Sequence, residues 1–165
     1  MRRLSTFLFV VVLPLLGHGA EVNRSLFDLQ LVHPKELWFA SASTNQQRGD
    51  GELMLVKDGK GKTVFISTEV RAAESPTFNV EDVKRLQNLA DSPKYKTSSQ
   101  QFTNFLGERA YRIASQSTEL RGSSVSYFFY RGVTQFRVMA VCFGGSEPEA
   151  DQEIASIVKS MKFAK

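Results

Sequence analysis

One cysteine, two histidines, five prolines and eleven glycines in 165 residues remove several classes at once. A lone thiol cannot build a disulfide scaffold. So few prolines and glycines exclude a collagen-like or linker-like chain, while 42% hydrophobic residues exclude a disordered one. No apolar run exceeds ten residues (Phe7–Leu16, FLFVVVLPLL), whereas a membrane-spanning helix needs about 18 or more. Charge of one sign is also scarce. Lys+Arg number 21 against 17 Asp+Glu, a formal +4, which is too small an excess to steer the chain to nucleic acid by itself.

What is present begins with an address. Arg2 and Arg3 precede the apolar run, and Gly17-His18-Gly19-Ala20 follows it, the layout of a secretory signal peptide. Residues 1–20 are therefore expected to be removed, with cleavage after Gly19 or Ala20. A single globular domain, 21–165, remains, periplasmic or secreted and without stable membrane insertion. No cysteine follows the run to carry a lipid. Removal also takes Arg2 and Arg3, so half of the formal charge belongs to the leader. Asn23-Arg24-Ser25 matches a glycosylation sequon and is read as a chance occurrence.

Period-2 alternation predicts strands at Phe27–Leu31 and Leu37–Ala42, and a hairpin pairing Leu53–Val56 with Thr63–Val70 across Asp58-Gly59-Lys60-Gly61. Asn79 and Asp82 open a helix with the stripe Val80, Val83, Leu86, Leu89 and Ala90, closed by Asp91-Ser92-Pro93. The polar stretch KYKTSSQQ leads into strands Phe102–Leu106, Tyr111–Ser117, Val125–Tyr130 and Phe136–Phe143. Turns are expected at Gly107-Glu108 and Arg131-Gly132. Ser146-Glu147-Pro148-Glu149 is a capping box ahead of a helix with the stripe Ile154, Ile157, Val158 and Met161. Strands 125–130 and 136–143 are apolar on both faces, as central strands covered on both sides are.

Chemistry finds little support. Once the leader is gone His33 is the sole histidine, so any Ser-His-Asp or Cys-His machine depends on it; it reads as a strand-end residue before Pro34. Cys142 shares an apolar face with Val138 and Ala140 and reads as core. Gly61-Lys62-Thr63 lacks the first glycine of a phosphate loop and feeds a strand, not a helix. Glu147, Glu149, Asp151 and Glu153 sit in the first turns of a helix, where the dipole favours them, with no His or Cys to complete a metal site. Arg109, Arg112, Arg121, Arg131 and Arg137 read as a solvated rim. No catalytic residue, cofactor or metal is expected.

The order of elements, with His33-Pro34 to Trp38, Gly107 to Tyr111 before a strand, Gly132 between long paired strands and the closing Ser160-Met161-Lys162-Phe163, resembles the Mog1/PsbP-like group. That group includes exported bacterial proteins of the DcrB type. The resemblance spans residues 26–163. It implies an α+β fold, an antiparallel β-sheet sandwiched between α-helices, and a binding or accessory role with no catalytic residues to carry over.

Two functional expectations follow. The first is an exported, non-catalytic accessory protein that contacts another envelope or secreted protein and no nucleic acid, in a narrower form an inhibitor or immunity protein. Trp38, Tyr127, Tyr130 and Arg131 are its candidate contact residues, because aromatics and arginine dominate interface energetics. The alternative is a carrier of a hydrophobic ligand, or a small hydrolase, with an apolar pocket between helix and sheet.

Overall fold

The computed structural model of the chain describes residues 22–26, 29–33, 38–45, 50–59, 62–72, 78–91, 93–119 and 121–163. The expected leader, residues 1–20, lies outside them. Ten strands and two helices follow in the order β1 (Val22–Leu26), β2 (Leu29–His33), β3 (Trp38–Asn45), β4 (Asp50–Gly59), β5 (Lys62–Ala72), α1 (Val80–Ala90), β6 (Tyr95–Phe105), β7 (Glu108–Ser117), β8 (Gly122–Arg131), β9 (Thr134–Phe143), α2 (Glu147–Val158) and β10 (Lys162–Phe163). Seven strands form one antiparallel sheet in the order β3-β4-β5-β9-β8-β7-β6, and β1-β2-β10 form a smaller one.

Register explains how the faces fill. Tyr127 lies opposite both Arg112 and Val138, and Val138 opposite Thr68, so even positions of β5, β7 and β9 share a face with odd positions of β8. That face carries Ala110, Ala114, Val125, Phe129, Phe136, Val138, Ala140 and Cys142, all buried together with Ala150, Ile154 and Ile157 of α2. The three α2 residues recur at i, i+4 and i+7, one helical stripe. Leu29 and Leu31 of the small sheet join the same core, and Phe163 sets its ring edge-on to Phe129 and Phe136. Each fully buried ring contributes on the order of 2–3 kcal/mol by its removal from water.

α1 covers the opposite face, where Leu86 packs on Tyr111, Ile113 and Phe128. The sheet thus lies between α1 and α2, the expected α+β sandwich. The Asn79 side chain accepts from the Asp82 amide at 2.8 Å, as the sequence suggested. At the other end Asp91 ends the helix, and its carboxylate accepts from the amide and hydroxyl of Thr97, both at 2.7 Å.

Several expectations need correction. The strand expected at 27–31 begins at Leu29, and a separate β1 precedes it. KYKTSSQQ is part of β6 and not a lead-in, because the sheet edge needs no apolar alternation to hold a ladder. Val80 is 73% exposed; Phe78, two residues earlier, packs against the α1 core and occupies the place expected of Val80. β8 is buried on both faces, but Met139, Val141 and Phe143 of β9 are half-buried on the α1 side, since α1 packs on β6, β7 and Phe128 of β8. The α2 interface is filled by the buried side chains of Ala150, Ile154 and Ile157.

Candidate interaction surface

Two tight hairpins bring one end of the sheet to a common edge. β6 turns into β7 through Leu106 and Gly107, both at positive φ (54° and 83°), the pairing a two-residue type I′ turn requires. β8 turns into β9 through Gly132 at φ 55° and Val133. Glu108 beside the first turn meets Arg131 beside the second at 3.3 Å, and the Arg131 guanidinium lies 3.9 Å over the Phe163 ring.

On the α1 side this end carries an aromatic cluster. Phe78 packs against Phe102, Tyr111 and Tyr130 at centroid distances of 5.6, 6.3 and 4.9 Å, and Phe102 against Tyr111 at 4.9 Å. The interior members are anchored by their hydroxyls. Tyr111 donates to Gln100 Oε1 at 2.7 Å, and the Tyr130 oxygen accepts from Gln135 Nε2 at 2.8 Å and Arg85 at 3.4 Å. Burial raises the pKa of both phenols. The outer member is Phe102, 45% exposed, with the Arg109 guanidinium 4.4 Å over its ring. Arg109 is itself exposed, and among the described residues no carboxylate pairs with it. Arg85 and Arg131, in contrast, are paired with Asp82 and Glu108. Val80 and Val133, the other large apolar side chains standing in solvent among the described residues, lie two residues from Phe78 and beside Arg131.

A second constellation locks the other face. Arg112, 7% exposed in the middle of β7, donates to Asp151 Oδ2 at 2.6 Å, Glu147 Oε1 at 2.7 Å and Ser99 Oγ at 3.2 Å. Glu147 and Asp151 are i and i+4 on α2, so one helix face presents both carboxylates to one guanidinium. Tyr127 donates to Asp151 Oδ1 at 2.7 Å. Burial by itself would lower the Arg112 pKa, but its hydrogen bonds to Asp151 and Glu147 outweigh this and hold the guanidinium above its usual range. Burial first, then Asp151, pushes the Tyr127 phenol up to about 12. Each of these polar groups has a partner within the fold. The cluster fastens α2 to β6, β7 and β8.

No protein-family model and no curated protein sequence matches the chain. Among solved structures it is similar to the crystal structure of the Saccharomyces cerevisiae Ran-binding protein Mog1p, with a TM-score of 0.50 and 9% sequence identity, over 88% of this chain and 97% of that one. The fold is Mog1-like.

Within this Mog1-like sandwich the four residues singled out from the sequence do not form one surface. Tyr127 and Tyr130, three apart on a strand, point to opposite faces. Tyr127 stacks on Phe105 at 4.4 Å and serves Asp151, while Tyr130 is 8% exposed beneath Phe78 and Arg85. Arg131 is half-buried at the hairpin end. Trp38 belongs to β3 on the far edge of the sheet, and its side chain lies outside the described residues, as does that of His33. The rim of arginines also divides: Arg112 is a buried ion-pair centre, and Arg137 donates to Ser126 with its guanidinium 5.3 Å from the Phe128 ring. Of the acidic run on α2, Glu149 accepts from the Ser146 amide and hydroxyl at 2.7 and 2.9 Å, the capping role expected of it, while Glu147 and Asp151 serve Arg112. Cys142 is buried at 1% exposure. A cavity of about 580 Å³ opens beside the α2 N-terminus, but Gln116, Thr118, Glu119 and Arg121 make its lining polar. It does not match the apolar pocket of the carrier reading.

Proposed function

We propose that this chain is an exported, non-catalytic binding protein that acts by protein–protein contact in the bacterial envelope. The observation that carries the reading is the Phe102–Arg109 pair, an exposed ring under an exposed guanidinium with no described carboxylate partner. An aromatic ring and an arginine are the side chains most often found as interface anchors, and a cation over a ring holds its geometry before a partner arrives. The similar fold of Mog1p, a Ran-binding protein, and the leader-like residues 1–20 support the two halves of the proposal. In its narrower form the partner is a toxin or enzyme that this protein inhibits.

A photo-crosslinking amino acid placed at position 102, in the cells that make the protein, tests the reading. One discrete adduct, lost in competition with untagged protein and weakened by Arg109→Ala, is the expected result. Absence of any adduct at position 102, with adducts formed from positions on the opposite face, overturns it. Export is checked separately by cell fractionation and by an intact mass that lacks residues 1–19 or 1–20.

A further inference from the structure

β6 ends the seven-stranded sheet, and among the described residues no strand pairs with its outer side. Ser98 through Phe102 are exposed in succession, whereas Ala110 through Ser115 of the adjoining β7 are all buried. The covering layers bury β7 and meet β6 only in part, through Phe78 on Phe102 and Glu147 on Ser98 and Ser99, and leave Ser98 through Phe102 in solvent. Natural sheets blunt such an edge with charge, proline or a bulge, because its open N–H and C=O groups template another strand. β6 keeps those devices in its first part alone: Lys96, and the irregularity between Thr97 and Ser99. From Ser99 to Phe105 (SQQFTNF) it has neither charge nor proline. Phe102 and Arg109 stand along this unprotected stretch, since Asn104 lies opposite Arg109 in the ladder.

We infer that the outer edge of β6 from Ser99 to Phe105 binds an extended, carboxylate-bearing segment of a partner protein by strand addition. Phe102 is the apolar anchor and Arg109 the charge that selects acidic residues. The inference rests on the binding-protein reading above and adds the mode of binding and the chemistry of the partner. Main-chain bonds to seven residues give affinity with little regard to sequence, and flanking side chains supply the choice. The exposed Arg109 guanidinium beside the edge favours a carboxylate and opposes a lysine.

The test titrates the leader-free, isotopically labelled chain with two blocked peptides, Thr-Val-Glu-Val-Thr-Val-Glu-Thr and its counterpart with lysine in place of glutamate, while backbone amide resonances are followed. The acidic peptide is expected to shift the amides of residues 99–105 saturably and to slow their hydrogen exchange. The basic peptide should bind roughly tenfold more weakly, and Arg109→Gln should cost the acidic peptide roughly fivefold in affinity while thermal unfolding is unchanged. Equal binding of the two peptides, or no saturable shift on β6, overturns the inference. So does concentration-dependent self-association through β6, because the occupant is then a second copy of this chain. A partner captured from position 102 whose complex leaves β6 exchange unaltered removes strand addition but keeps the binding-protein reading. Saturable peptide binding with no partner captured does the reverse.

Discussion

Replacing Arg112 by methionine tests whether the Arg112–Glu147–Asp151 cluster holds α2 on the sheet. The substitution keeps most of the side-chain volume and removes the charge. Four hydrogen bonds are lost, three of them to carboxylates, and Glu147 and Asp151 are left facing one another one turn apart. Hydrogen bonds to charged groups contribute about 1.5–3 kcal/mol each, and breaking a buried pair costs about 3–5 kcal/mol. The carboxylates here are 25% and 33% exposed while the guanidinium is 9% exposed, so they recover part of their hydration and the expected loss is about 2–4 kcal/mol. With a urea slope of about 1.5 kcal/mol per molar, the unfolding midpoint falls by roughly 1.5–2.5 M. Arg112→Lys should recover less than half of this, because an ammonium lacks the planar fork that reaches both carboxylates and Ser99. Combining Arg112→Met with Asp151→Asn should reveal a coupling of at least about 1 kcal/mol. A loss below about 1 kcal/mol for Arg112→Met, or additive single variants, would refute the reasoning and make the cluster a solvated pair.

Burial raises the pKa of each of the four tyrosines (Tyr95, Tyr111, Tyr127 and Tyr130) above 10.0, with Tyr127 at about 12. The folded chain therefore holds more protons than the unfolded one in this range. Their stabilisation is complete below pH 10 and is lost as pH rises through the folded values, so phenolate absorbance of folded protein should appear at higher pH than in urea, and Tyr127→Phe should remove its most alkaline step; coincident titrations contradict this. Gly145→Ala should cost about 1–3 kcal/mol, because the added Cβ would stand 2.9 Å from Cys142 Cβ and 3.2 Å from the Glu149 carboxylate; an unchanged urea midpoint counts against that packing. Phe102→Ala should leave the stability within about 0.5 kcal/mol of the parent, as exposed substitutions usually do, while weakening the binding of the acidic peptide; unaltered peptide affinity counts against Phe102 as the anchor.

The helices were legible because their signals are local. The Asn79 cap and the Ser146–Glu149 pair lie within one turn, and each recurs in the structure. The hairpins β4–β5 and β8–β9 were legible for the same reason. Strand order was not, since nothing local says that β9 sits between β5 and β8 and thereby leaves β6 outermost. That one fact decides the candidate site. With the KYKTSSQQ stretch read as a connection, Phe102 had no edge to stand on, and Tyr127 and Tyr130 drew notice instead because aromatics were counted without their faces. Arg112 was missed for a related reason: its partners are 35 and 39 residues away, beyond any sequence window, although the i, i+4 carboxylates on α2 were a visible half of the motif.

The same topology separates what stabilises from what is left to bind. The face under α2 contains the largest cluster of buried residues, and its polar groups are satisfied internally by Arg112, so change there registers as lost stability. The β6 margin contributes one buried side chain, Phe105, to that core, and its residues from Ser99 to Asn104 are held chiefly by pairing with β7, with Ser99 also donating to Glu147 and Phe102 packed on Phe78. Arg109 and Phe102 could be lost at little cost to folding, yet their stacked geometry places a charge with no carboxylate partner among the described residues over an exposed ring beside an open ladder. Stability therefore does not account for that arrangement, whereas the proposed recognition of a partner would.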